Sequence, residues 1–363
     1  MKTSLPVASL VALVAAGSVA AAEEATSRFA KDLWKEVGRR EGNLVASPYS
    51  IAQALGLLRA GARGATRDEI DAVLHGDAAK LDLAEVKVTN HLWGQEGYRF
   101  KPGLAIDRID FKDAASARQK INDQIATETK DRIRDLLPDG SIDALTRLII
   151  TNALYMNPQW ETPFPKEATC DAPFHRLDGS TVSTRLMQAS LYFAPRGHSD
   201  DLDVVELPYR GGRLVFDAIL PKDARTYSLD VNKAVSLLVE RGAIVSLPRF
   251  EVSSEIRLTP VLKALGMERA FDGTRADFTG FTDEDPLYVS EAITKTFVKV
   301  DEVGTEAAAA TAIIMEAGCA CPSHVVELKL DRTFFFAIRD TKTGAVLFTG
   351  RVDDPERATT PTK

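Results

Sequence analysis

Five histidines, three cysteines and a few paired carboxylates are the side chains of this 363-residue chain that could act as ligands, nucleophiles or proton carriers. His75, His91, His175, His198 and His324 show no metal-ligand spacing, and each reads as a surface or capped side chain. Asp200-Asp201 and the acidic run from Asp283 to Asp285 stand in turn-like stretches and read as solvated charge. There is no G-x-S-x-G elbow, no G-x-G-x-x-G or Walker loop, no H-E-x-x-H and no C-x-x-C. Spacing does not decide a Ser-His-Asp triad, because triads assemble from distant positions. No catalytic residue, metal or cofactor is therefore assigned. Cys170, Cys319 and Cys321 are too few for a disulfide framework, so burial must stabilise the chain. Cys319-Ala320-Cys321 is too tightly spaced for a zinc half-site and reads either as free thiols or as a local strained disulfide.

What stands out instead is a stretch with little chemistry, Asp301 to Pro322, DEVGTEAAAATAIIMEAGCACP. Before it, Lys295 to Val300 alternates as a strand; after it, VVELKL and TFFFAI also read as strands. The bracketed segment lacks turn residues and carries an alanine run, Ala307, Ala308, Ala309 and Ala310. One reading is a helix, with Thr305 as N-cap and Glu306 in the first turn. The other is an extended strand: Thr305, Ala307, Ala309, Thr311, Ile313 and Met315 share one uncharged face under a two-residue period. Gly304, free of a Cβ, is the hinge at its root.

The elements that would hold this stretch are legible in outline. Phe29, Leu33, Trp34 and Val37 predict a helix over Thr26 to Gly38, and Ser50 to Leu58 predicts another with Pro48 near its start. Val86 to Trp93 alternates as a strand, and Ala114 to Thr129 is helical. Leu148 to Met156 is an apolar run suited to a strand covered on both faces. Strands dominate afterwards, apart from a helix over Arg257 to Leu265 ended by Gly266. No linker tract or repeat divides the chain, so one large domain is expected, and the 45% apolar content supports a sizeable core. The net charge of −7 argues against nucleic-acid binding, and Arg132 and Arg134 read as a solvated helix face. Lys2, the apolar run Leu5 to Val19 and Ala20-Ala21-Ala22 have the form of an export signal over residues 1–22, leaving a domain of 23–363. Pro6 and Gly17 interrupt that run, which argues against a membrane anchor, and it has no cysteine for lipid attachment. The mature chain is expected to be secreted or periplasmic.

The segment VSEAITKTFVKVDEVGTEAAAATA resembles the hinge of the serpins, inhibitors that trap a protease by inserting their reactive loop into their own central sheet. The likeness continues through NLVASPYSIAQALGLLRAGARGAT, LIITNALYMNPQWETPF, VVELPYRGGRLVFDAILPKD, LPRFEVSSEIRLTPVLKALGMERAFD and TFFFAIRDTKTGAVLFTGRVDDP, in the family's order. It implies a single α+β domain of three β-sheets with about eight or nine helices and an exposed reactive-centre loop, here about 302–322. With its export signal, the chain looks like a bacterial-type exported member. The implied function is suicide-substrate inhibition of serine-type endopeptidases through a covalent acyl complex, in a monomer, without membrane contact in the mature form. A non-inhibitory binding or chaperone role is the alternative.

Carried over position by position, the hinge comprises Glu302, Gly304, Thr305, Glu306, Ala307, Ala308, Ala309, Ala310 and Thr311. Val303 stands where the family more usually has a charged residue. The bait bond, counted from Gly304, is Gly318-Cys319, with Ala317 and Ala320 as alternatives; small residues there fit an elastase-like or subtilisin-like protease, or a cysteine protease. Ser47, Ser50 and Asn152 match residues beneath the opening point of the sheet, and Trp160 matches the tryptophan where the loop enters. Thr294, before Lys295, replaces a histidine that many relatives have, so a network centred on that histidine must be absent or rebuilt. Between Gly76 and Asp110 the chain is shorter than most serpins, where some relatives bind glycosaminoglycans. With one lysine in HGDAAKLDLAEV, no such cofactor is expected.

Overall fold

The computed structural model describes residues 24–77, 81, 83, 85–283, 287–305 and 326–357. The export signal, Glu306 to Thr311 and the bait positions Ala317, Gly318, Cys319 and Ala320 lie outside them, as does the cysteine pair. Cys170 is free and exposed.

A five-stranded sheet forms the centre, in the order β10 (Phe250–Arg257), β11 (Glu291–Val300), β4 (Leu148–Met156), β2 (Val86–Gln95), β3 (Asp107–Ile109). All nine residues of β4 are buried, because both of its faces are covered. Leu148, Ile150, Leu154 and Met156 join the large clusters on one side, with α1 (residues 24–37) and α2 (Pro48–Gly61). Ile149 and Ala153 join a second cluster with Ile121 and Ile125 of α4 (Ala114–Glu128). The period-2 geometry of a strand makes this division. Helix α2 starts where sequence chemistry places it: the Ser47 hydroxyl accepts from the Ser50 N–H at 3.1 Å, and Pro48 occupies the first turn. Asp113 caps α4 in the same way. The predicted helix over Thr26 to Gly38 spans 24–37, and the predicted Leu148–Met156 strand is found with those bounds. Arg132 and Arg134 are exposed but not on a helix face: α4 ends at Glu128, and both lie in the irregular segment that follows.

The second and third expected sheets run into one another. β6 (Thr181–His198), 18 residues long, pairs first with β5 (Cys170–His175) and β9 (Glu240–Pro248), and through β9 reaches β12 (Val326–Lys329). After a register shift between Leu191 and Pro195 it pairs with β7 (Leu202–Pro208), and the sheet continues through β8 (Leu214–Pro221), β13 (Phe334–Asp340), β14 (Val346–Val352) and β1 (Leu44–Ala46). The described helices are α1, α2, α3 (Gly64–Leu74), α4, α5 (Val231–Val235) and α6 (Leu258–Ala264), with 3-10 turns at Lys166–Ala168 and Arg269–Phe271.

One seam in the central sheet differs from the rest. β11 pairs with β10 along its inner length to Phe250↔Val300, but parallel with β4 only from Glu291↔Ile149 to Thr296↔Leu154. Among the described residues, Phe297 to Lys299 have no ladder partner on the β4 side, although β4 runs two residues past Leu154 to Met156, and Val300 bridges Thr305 instead.

Candidate functional site

The residues just after Val300 are fastened into the open end of that seam. Asp301 accepts from the Val303 and Gly304 N–H groups at 2.9 and 3.3 Å, and its own N–H donates to Gly304 O at 3.0 Å, folding the chain back. Thr305 then bridges Val300 antiparallel, and its N–H donates to Pro158 O at 2.9 Å. Trp160 holds the turn from the other side, its indole N–H donating to Asp301 O and its backbone N–H to Val303 O, both at 2.9 Å. Gly304 meets its neighbours too closely for any side chain: a Cβ there would lie 2.3 Å from Pro158 O. Close approach, with no positive φ, is what demands glycine at this position.

Two side chains of the turn are committed to the interior. Glu302, 2% exposed, receives Arg249 Nε on both carboxylate oxygens at 2.8 Å and the Thr169 hydroxyl at 2.7 Å. Burial pushes its carboxyl pKa up, but the bonds from Arg249 and Thr169 outweigh that and hold it below the usual glutamate range. Thr305, 1% exposed, shares a hydroxyl hydrogen bond with Tyr209, whose ring stacks on Trp160 at 4.5 Å. Burial raises the Tyr209 phenol far from its ordinary range. Thr305 is thus bridged to Val300 and buried beside Tyr209, whose ring stacks on Trp160, which in turn meets Phe216 edge-on.

Below the hinge, a polar network crosses the seam. Thr294 donates to Asn152 Oδ1 at 2.6 Å, from β11 to β4. The Asn152 amide donates to Ser50 Oγ of α2 and to Asn90 Oδ1 of β2, and Asn90 donates to Ser50 O at 3.3 Å. Ser47, Ser50, Asn152 and Thr294 are fully buried. Thr294 enters this network directly: its hydroxyl binds asparagine, and every member is a neutral group. Lys295 points to the other face, where its ammonium donates to Arg134 O at 2.7 Å beyond α4.

Ser47, Ser50, Asn152 and Thr294 thus come together, Trp160 joins the hinge, and Lys295 stands apart. Sequence reasoning missed Asn90, Tyr209, Arg249 and Thr169. Only Asn90 left a signal, an amide in the middle of an alternating strand.

The serpin family model, described as serine protease inhibitor, matches residues 24–355. The chain belongs to the serpin family. This serpin is 34% identical to plasminogen activator inhibitor 1 of Neovison vison over 92% of its own length and 93% of that protein. It is 32% identical to leukocyte elastase inhibitor A of Mus musculus, over 91% and 98%. Among solved structures it resembles Serpin48 of Tenebrio molitor, with a TM-score of 0.81 and 27% identity over 92% of this chain and 98% of that one. It also resembles native protease nexin-1 solved with heparin, with a TM-score of 0.81 and 27% identity over 93% and 100%. These relatives are eukaryotic and lend no support to the bacterial affinity expected from the sequence.

Proposed function

We propose that this serpin inhibits serine-type endopeptidases by suicide-substrate trapping. The observation that carries the reading is the seam: β4 and β11 are directly paired, yet only as far as Thr296 and Leu154, and the root of the bait segment sits in the open end. A protease serine attacks the Gly318 carbonyl, the Cys319 nitrogen leaves with a proton as a new amino terminus, and the enzyme stays attached as an ester. The freed segment from Thr305 onward then continues the Val300↔Thr305 bridge as a strand between β11 and β4. About ten added ladder bonds at about 0.5–1.5 kcal/mol each would contribute about 5–15 kcal/mol. That is comparable to the whole stability of a typical domain, about 5–15 kcal/mol. Ala307 to Ala310 let the sheet close around the new strand without steric penalty.

The target in this proposal accepts small residues, as elastase-like and subtilisin-like enzymes do, with cysteine proteases as a further class. The protein acts as an exported monomer after loss of residues 1–22, with a reactive loop of about 302–322 and without a glycosaminoglycan cofactor. Incubation with pancreatic elastase and subtilisin tests it. The expected product is an adduct that survives boiling in detergent, with a released peptide starting at Cys319. Cleavage without any adduct, across a panel of small-residue proteases, would point to a non-inhibitory binding or chaperone role.

A further inference from the structure

His91, on β2, faces a carboxylate with each of its ring nitrogens. Nδ1 lies 2.5 Å from Asp107 Oδ2 of β3, and Nε2 lies 2.9 Å from Glu128 Oε2, the last residue of α4. The side chain is 15% exposed, and the ring stacks on Trp93 at 4.9 Å. A neutral imidazole carries one N–H and can satisfy only one carboxylate; the protonated ring donates to both. Of the other charges on the packed elements, the Arg108 guanidinium of β3 lies over Phe100 and the Lys130 ammonium beyond α4 lies over Tyr155, while on α4 Arg118 pairs with Asp139, Asp123 accepts from Gln119 and Lys120 is exposed. Lys87 of β2 is exposed. β4 offers Thr151, a neutral partner that accepts from Trp93 Nε1.

The position of α4 gives this contact a consequence. Ile121 and Ile125 of α4 share one buried cluster with Trp93 of β2, Ile149 and Ala153 of β4, and Ile293 and Phe297 of β11. The helix therefore straddles the seam that a new strand must part. On the β11 side, Lys295 is tied to Arg134 O in the segment following α4; on the β2 side, Glu128 is tied to His91.

We propose that His91 is a pH-sensitive clasp fastening α4 across the seam, closed when the imidazole carries two protons and half-released when it carries one, and that it sets how readily the sheet accepts a strand. The inference rests on the strand-insertion reading. Burial favours a neutral Glu128, yet the hydrogen bonds from His91 and Gln124 and the histidine charge outweigh it and hold that carboxyl below its ordinary range. When the ring gives up its second proton, one N–H is lost and a lone pair faces a carboxylate. The helix loosens and the seam parts more easily.

The test measures the rate at which uncleaved protein takes up a synthetic peptide of residues 305–316. Wild type should be about fivefold faster at about pH 8 than at about pH 5.5. His91→Phe, which keeps the stack on Trp93, should show no such change, and His91→Arg should be slow at both. A His91→Phe profile that follows wild type overturns the clasp. If no variant takes up peptide, the insertion reading fails, and amide exchange in residues 114–128, corrected for intrinsic rates, judges the clasp alone. Protection that falls with pH in wild type but not in His91→Phe supports it; equal changes overturn it.

Discussion

Asn152→Ala removes the centre of the polar network that spans the seam. Asn152 makes three hydrogen bonds, to Ser50 and Asn90 and from Thr294, in a fully buried setting. Each bond contributes about 0.5–1.5 kcal/mol net, and the buried groups left without partners, the Thr294 hydroxyl and the Asn90 carbonyl, add a desolvation cost. The expected loss is about 3 kcal/mol in the first unfolding transition, at the upper end of what single substitutions usually do. Urea unfolding followed by tryptophan fluorescence measures it. Thr294→Val removes only one of these bonds, so a double-mutant cycle with Asn152→Ala should return a coupling of about 1 kcal/mol. Because the Thr294–Asn152 bond adds a buried side-chain link to the ladder between β11 and β4, the alanine variant should also take up loop peptide faster than wild type. A loss within about 0.5 kcal/mol, the range of an ordinary surface change, or an additive cycle would refute the claim that this network holds the seam.

Three further outcomes follow from the hinge. Thr305→Arg places a charge where the side chain is 1% exposed, so the protein should still be cut but should trap protease at least about tenfold less efficiently, read from the stoichiometry of inhibition. Gly304→Ala forces a Cβ to 2.3 Å from Pro158 O, and should displace the turn and lower the first unfolding transition by about 1–3 kcal/mol. The Glu302 carboxyl is held below its ordinary range, so its contribution is complete above the unfolded value of about 4.3 and is lost as pH falls through the lower folded value. Wild type should therefore lose stability relative to Glu302→Gln as acid is added, in denaturant melts across that window.

Much of the frame was legible because burial writes periodicity into the sequence. Leu148 to Met156 could be read as a doubly covered strand from its unbroken apolar run, and α2 from Ser47-Pro48. The shared β6 was not legible, since a register shift between Leu191 and Pro195 leaves no compositional mark. Within the site, Gly304 and Thr305 stood out from residue chemistry and Trp160 through family resemblance, but the contacts that require them came from the fold. Gly304 is required by the approach of Pro158 O, and Thr305 is held by Tyr209, 96 positions away in the chain. Arg249 and Thr169 meet Glu302 only through tertiary contact, and no local pattern distinguishes them from surface residues. His91 shows the same limit: its spacing suggested a surface or capped side chain, whereas β3 and α4 each bring it a carboxylate.

The central claim is that β4 and β11, paired only from Glu291↔Ile149 to Thr296↔Leu154, part to admit the bait segment as a new strand. Calorimetry of the intact protein beside the same protein nicked once within residues 306–325, with both fragments retained, tests this most directly. A nicked form that melts well above the intact one is the predicted result; equal or lower melting of the nicked form would contradict it.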